Sequence, residues 1–367
     1  MNPFLHAHAA GRGWTDCVDA CVERIGDPGS GLGFIYLTSA LAPDAPRIIR
    51  ALRERTGVPD WVGTTGIGVI GTGTEYMDEP ALSVMVADIE PESYRVFSGK
   101  SRPPHTGDRT PQGALAANFA VVHADPGAPD VSGLISDMSA KLESGYLVGG
   151  LSSGRGNTLQ VANDVLHGGL SGVVLASDVM LRTRHTQGCS QVGPRLRVSE
   201  ADGNVIARLD GRPALDAMLE AVGIAGARDL RRMGHMLCVG LAVAGSDTGD
   251  YLVRNLVGVD PQTRQIAIGD HVEVGAELFF CLRGGEAAVR DLRRMLNELA
   301  GGSEAPARGA LYYACLGRGE HMFGRRGAEL EMLREVLGDL PVTGFFCNGE
   351  ISHNRLYGYT GVLTLFE

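Results

Sequence analysis

Gly33-Phe34-Ile35-Tyr36-Leu37, then residues 44–56, then Trp61-Val62-Gly63-Thr64-Thr65-Gly66-Ile67-Gly68, form the stretch whose reading decides the fold. The first five residues are an unbroken apolar run, which predicts a buried strand. Ile48, Ile49 and Leu52 recur at helical spacing and Gly57 follows them, so residues 44–56 read as an amphipathic helix with a glycine stop. A glycine-rich turn and a second apolar run, residues 81–89, complete the unit.

The same plan recurs twice. Phe119-Ala120-Val121-Val122 predicts a strand, residues 131–142 a helix, Leu147-Val148-Gly149 leads to Gly154, and residues 171–177 close the unit. Later, residues 311–316 predict a strand, 328–337 a helix, Val342-Thr343-Gly344 leads to Gly349, and residues 362–366 end the chain. All three carry Gly-x-x-x-x-Gly after the helix: Gly63 to Gly68, Gly149 to Gly154, Gly344 to Gly349. We read this as an internal strand-helix-turn-strand repeat. Its period of about 85 residues is too long for a solenoid. The expected fold class is therefore α+β (mixed α/β), with mixed sheets covered by helices.

Different material separates the second and third units. Residues 193–209 alternate like a hairpin around Ala201-Asp202-Gly203-Asn204, and Pro213 opens a helix that runs to Val222. Residues 236–243, 251–257, 266–268 and 279–282 read as strands, and 286–299 as a helix. The expected partition is an N-terminal segment, 1–29, a first domain, 30–211, and a second, 212–367, with the boundary near Gly211. Residues 99–112 read as a long loop of the first domain.

Glycine makes up 52 of the 367 residues, twice the usual ~7%. Without a Gly-X-Y period these glycines belong at turns, close backbone approaches, or places where backbone faces a ligand. A net charge of −10 and a pI near 5.5 argue against a nucleic-acid partner. Seven cysteines are scattered without a C-x-x-C pair, which predicts free thiols in a reducing compartment. Cys17 and Cys21 stand one helical turn apart, a packing spacing. No pair has metal-ligand spacing, and neither a metal nor a cofactor is implied. Residues 1–13 lack a basic segment followed by an apolar one, so no signal peptide is expected. With no apolar run of 18 residues, no membrane association is expected either, and the expected compartment is the cytoplasm.

Four motifs compete for chemistry. Gly66-Ile67-Gly68-Val69-Ile70-Gly71 fits a dinucleotide fingerprint, but no helix follows to hold a pyrophosphate. Gly150-Leu151-Ser152-Ser153-Gly154 fits a nucleophile elbow with Ser152 as the nucleophile, yet Arg155-Gly156-Asn157 is a poor helix start. Cys315 ends a strand before Gly317-Arg318-Gly319. It reads either as a small core residue or as a rim thiol whose pKa Arg318 lowers. Asn348-Gly349-Glu350 is a polar turn between apolar strands, and Gln187 lies in a segment dense in hydrogen-bonding groups. Of the ten histidines, His6 and His8 are assigned to a mobile tail, and His185, His321 and His353 to loops.

Val192-Gly193-Pro194, Ala201-Asp202-Gly203 and Leu209-Asp210-Gly211-Arg212-Pro213-Ala214 together resemble the hallmark of the FIST domain. Gly344-Phe345-Phe346-Cys347-Asn348-Gly349-Glu350-Ile351 resembles the G-F-x-x-x-G-E-I signature of its C-terminal part. Ala314-Cys315-Leu316-Gly317-Arg318-Gly319 is similar to the same region of F-box proteins that carry the module. The resemblance covers residues 30–366. It implies a sensory module that binds small ligands such as amino acids, often joined to signalling domains, and it transfers no catalytic residue.

The combined expectation is a stand-alone cytoplasmic ligand-binding protein that signals through a protein partner. Glu350, Asn348, Gly349, Arg318, Cys315 and Gln187 would contact a small polar metabolite. Rival classes are an enzyme, acting through Ser152 as a hydrolase or through Cys315 as a thiol, and a protein-interaction adaptor.

Overall fold

The computed structural model describes residues 3–99, 117–156, 158–224, 230, 233–234, 236–243, 251–302 and 305–367. Nearly all of the loop expected at 99–112 lies outside them. Contacts divide the chain into one unit of residues 1–186 and 292–367 and a second of residues 187–291. The class is mixed α+β.

The first unit contains three six-stranded sheets among its described residues. Each is centred on a parallel pair joined by a helical crossover. Leu32–Thr38 pairs with Asp60–Gly66 across the helix Ala45–Thr56. Ala117–Ala124 pairs with Tyr146–Leu151 across Val131–Ser139. Gly309–Cys315 pairs with Val342–Cys347 across Glu320–Phe323 and Ala328–Leu337. An antiparallel strand flanks the first member of each pair: Ala81–Ala87, Leu170–Ala176 and Thr360–Phe366 respectively. The central strands are buried on both faces, which is why they read as continuous apolar runs.

The second member of each pair meets a hairpin supplied by another part of the chain. Gly68–Gly71 and Thr74–Met77 leave the first pair and add beside Val342–Cys347. Gln160–Ala162 and Asp164–Leu166 leave the second pair and add beside Asp60–Gly66. Glu350–His353 and Arg355–Tyr357 leave the third pair and add beside Tyr146–Leu151. The hairpins are thus exchanged in a circle, and the three glycine-rich turns are the points where the chain passes from one sheet to the next.

Three glycines show what those positions require. A Cβ on Gly63 would lie 1.6 Å from the Ile35 carbonyl oxygen; on Gly149, 1.7 Å from that of Val122; on Gly344, 1.7 Å from that of Tyr312. Each faces the backbone of its parallel partner strand at a separation that leaves no room for a side chain.

The N-terminal residues correct an expectation. His6 and His8 are not in a mobile tail. They lie in the edge strand Leu5–Ala10, antiparallel to Ala81–Ala87, with Ala7 buried. The helix Trp14–Ile25 follows and buries Cys17, Val18, Cys21 and Val22, so the cysteine spacing is indeed a packing spacing. Leu-His-Ala-His-Ala offers few strong strand formers, and pairing with the flanking strand decides its state. His185, His321 and His353 also sit in regular elements rather than loops: the strand Leu181–Gln187, the helix Glu320–Phe323 and the strand Glu350–His353.

In the second unit Cys189–Asp202, Glu277–Arg283, Leu237–Ala242, Tyr251–Asp260, Gln265–Ile268 and Val205–Leu209 pair in that order. Val205–Leu209 also pairs back with Cys189–Asp202, closing the sheet on itself. The helix Ala214–Val222 packs Ala214, Leu215, Ala217 and Met218 into this core beside Ile206, Leu209 and Phe280. No described helix is long and apolar enough to cross a membrane.

Candidate functional site

The three glycine-rich turns meet at Ser153. Its backbone N–H donates to the Thr65 carbonyl at 3.1 Å, and its hydroxyl donates to the Phe346 carbonyl and accepts from the Ile67 N–H at 2.9 Å. The Asn348 N–H donates to the Leu151 carbonyl at 3.1 Å, and the Leu151 N–H to the Gly349 carbonyl at 2.9 Å. One serine therefore ties together the ends of three strands that belong to three sheets.

Beside this junction two thiols and one carboxyl lie together. Cys315 and Cys347 are register partners at the ends of two parallel strands, so their side chains point the same way. Cys347 Sγ donates to Glu350 Oε1 at 3.4 Å, and the Thr360 N–H donates to Glu350 Oε2 at 3.0 Å. Glu350 is fully buried. Burial pushes its carboxyl up to about 8, against the opposing effect of its hydrogen bonds. It therefore carries a proton near neutral pH and can donate a hydrogen bond as well as accept one. Gly150 packs against this cluster, where a Cβ would fall 2.7 Å from Cys347 Cβ.

Arg318 lies behind Cys315 in a separate buried ion pair. Its Nε donates to Glu329 Oε1 at 2.8 Å, Nη2 donates to the same oxygen, and the Tyr312 hydroxyl donates there too. The guanidinium stands 5.2 Å from the centre of the Phe323 ring, and Nη1 has no hydrogen-bond partner among the described residues. Burial alone would lower its pKa, and the Glu329 carboxylate more than restores it.

The expectation that Arg318 activates Cys315 is overturned. Burial, and then the Glu350 carboxyl, push the Cys315 thiol well above its ordinary value. Arg318 acts in the opposite sense but weakly, because Glu329 takes up its charge. Burial raises the Cys347 thiol as well.

Ser152 is fully buried, and its hydroxyl is held by Thr64 Oγ1 at 2.7 Å, Gln160 Nε2 at 2.9 Å and the Ala124 carbonyl at 3.2 Å. The chain leaves Leu151 without entering a helix and continues into the strand Gln160–Ala162, so the elbow geometry is absent at this serine. Gly66 to Gly71 enters a hairpin, where a Cβ on Gly68 would lie 2.7 Å from the Tyr76 carbonyl oxygen. Strand packing accounts for the glycines of that fingerprint.

Of the nominated ligand-binding residues, Glu350, Gly349 and Cys315 come together in the first unit, with Arg318 turned to Glu329 and Asn348 exposed at the edge. Gln187 belongs to the second unit. There its backbone N–H donates to Asp291 Oδ2 at 2.6 Å and its amide to the Tyr251 carbonyl at 2.8 Å.

Sequence reading missed Cys347 and Thr360, which complete the surroundings of Glu350, and the centre of the unit. Tyr36 Oη lies 3.2 Å from His123 Nε2 and 2.9 Å from Tyr313 Oη, all three fully buried. Phe345 stacks on Tyr36 with ring centroids 5.2 Å apart. Burial lowers His123 to about 3, so its imidazole is neutral. These residues occupy comparable places in three central strands, and that alignment was the available signal.

Family comparisons cover most of the chain. A FIST N domain model matches residues 31–212 and a FIST C domain model matches residues 214–353. An uncharacterized protein of Mycobacterium tuberculosis (strain ATCC 25618 / H37Rv) is 34% identical over 323 residues, which cover 83% of each chain. An uncharacterized protein of Mycobacterium bovis (strain ATCC BAA-935 / AF2122/97) is 32% identical over 340 residues, 88% of this chain and 86% of the relative. The chain belongs to the FIST family.

Proposed function

We propose that this protein is a sensory ligand-binding protein of the cytoplasm that takes a small polar metabolite, such as an amino acid, at the Glu350 cluster and passes the signal to a protein partner. The observation that carries the reading is Glu350. It is a fully buried carboxyl at the ends of parallel strands, where open α/β sheets bind ligands, and its hydrogen-bond partners include a thiol and a backbone N–H. A protonated carboxyl there can donate to a ligand carbonyl; an ionised one accepts from an amine. Family membership supports the sensory role, and seven free cysteines support a reducing compartment. The raised thiol of Cys315 and the engaged hydroxyl of Ser152 favour this reading over covalent catalysis.

A thermal-shift screen against amino acids and related polar metabolites tests it. The expected outcome is a ligand that raises the melting temperature of the wild type and not of Glu350→Gln. A ligand shift that persists in Glu350→Gln overturns the site, and no shift with any metabolite overturns the reading.

A further inference from the structure

We propose that the cleft bounded by His6, His8, Arg24, Thr72, Arg334 and Asp339 binds a small oxyanion of the phosphate class, and that binding draws protons onto the two histidines. The cleft has a volume of about 230 Å³. That is below the roughly 300–1,000 Å³ of sites for drug-sized ligands, and it leaves room for a small anion with water around it. It shares no residue with the Glu350 cluster, so the inference stands apart from the proposed function.

Four elements converge here. His6 and His8 alternate on one face of the edge strand Leu5–Ala10. Arg24 comes from the last turn of the helix Trp14–Ile25, Thr72 from the turn after Gly68–Gly71, and Arg334 from the last turn of Ala328–Leu337. Asp339 pairs with Arg334 at 2.7 Å. Among the described residues no carboxylate pairs with Arg24. With neutral histidines the cleft carries one net positive charge, from Arg24 and Arg334 against Asp339. With both protonated it carries three.

The histidines are held neutral by their surroundings. Burial and then Arg24 lower His6; burial, then His6, then Arg24 bring His8 to about 4. The groups facing them from each packed element are few. They are Arg24 on the helix, Tyr76 at 2.9 Å from His8 Nδ1 with Glu79 near it, and the Arg334–Asp339 pair. Cys17 and Cys21, on the same helix as Arg24, are uncharged at neutral pH. An anion beside Arg24 offsets the repulsion that keeps the imidazoles neutral, so anion binding and protonation favour one another. The same cleft does not suit a cation, because two guanidinium groups line it, and no described cluster is placed to hold a metal ion.

Sulfate is the first probe, because it keeps its charge throughout the range in which histidine titrates. Isothermal titration at constant ionic strength is expected to show saturable binding at least fivefold tighter at pH 6 than at pH 8. In a His6→Gln, His8→Gln double variant that ratio should fall to twofold or less. Arg24→Gln alters an exposed helix position and should fold normally while weakening binding at both pH values. Inorganic phosphate should compete with sulfate, and chloride should not. Absence of saturable binding, equal affinity at the two pH values, or a pH ratio that survives in the double variant overturns the proposal.

Discussion

Glu350 makes a prediction about proton linkage that few surface groups would. Its folded pKa is raised to about 8 from an ordinary value of 4.5, so between those values the folded chain holds a proton that the unfolded chain has released. Stability therefore falls as pH rises through this window, by about 1.4 kcal/mol per pH unit at most. His123 and His8 have folded values of about 3 and about 4, below the ordinary 6.5. Their contribution is fully present above pH 6.5 and is lost as pH falls toward those values. Between about pH 7.5 and 8.5 the histidines are deprotonated in both states while Glu350 is still releasing its proton. Urea unfolding should show declining stability over that interval in the wild type and a flatter profile in Glu350→Gln; equal slopes would refute the assignment. At Arg318, Glu329→Gln should destabilise by roughly 3–5 kcal/mol, because it leaves a buried guanidinium without its counter-charge. Iodoacetamide should modify Cys315 more slowly at pH 7 than it modifies a free cysteine, since the thiolate is the nucleophile and burial suppresses it.

At the scale of elements, the sheet centres were the most legible part. The apolar runs around Tyr36, Val121 and Tyr313 fall in the strands Leu32–Thr38, Ala117–Ala124 and Gly309–Cys315, and the helix read from Ile48, Ile49 and Leu52 is Ala45–Thr56 with Gly57 left-handed at its end. The N-terminal strand was illegible because histidine and alanine carry little strand signal, and its hydrogen bonds come from Ala81–Ala87. The short hairpins Gly68–Met77 and Gln160–Leu166 were missed for a related reason. Strands of three or four residues leave too few positions for a period to show. Gly344→Ala tests the close approach of the parallel strands. With its Cβ 1.7 Å from the Tyr312 carbonyl oxygen, the substitution should cost about 3 kcal/mol or more, read as a lower urea midpoint with unchanged m. A variant as stable as wild type would show that the strands separate freely.

Across the whole first unit, the circular exchange of hairpins makes the three sheets interdependent. Removing residues 350–367 deletes the hairpin that pairs with Tyr146–Leu151 and the strand Thr360–Phe366 that pairs with Gly309–Cys315. Hydrogen exchange on such a truncation should show lost protection in Tyr146–Leu151 and Ala117–Ala124, more than 150 residues away in sequence. Protection retained there would mean that the sheets fold separately. By itself the sequence determined the local character of each piece: buried strands from apolar runs, helices from their spacing and glycine stops, and turns from glycine pairs, all set by interactions between residues near in the chain. Only the tertiary structure decided which sheet each hairpin joins, that Ser153 ties three turns together, and that Cys315 and Cys347 lie beside the buried Glu350 while Arg318 turns to Glu329. Those outcomes depend on desolvation and on pairing between residues distant in the chain, and neither is encoded in local spacing.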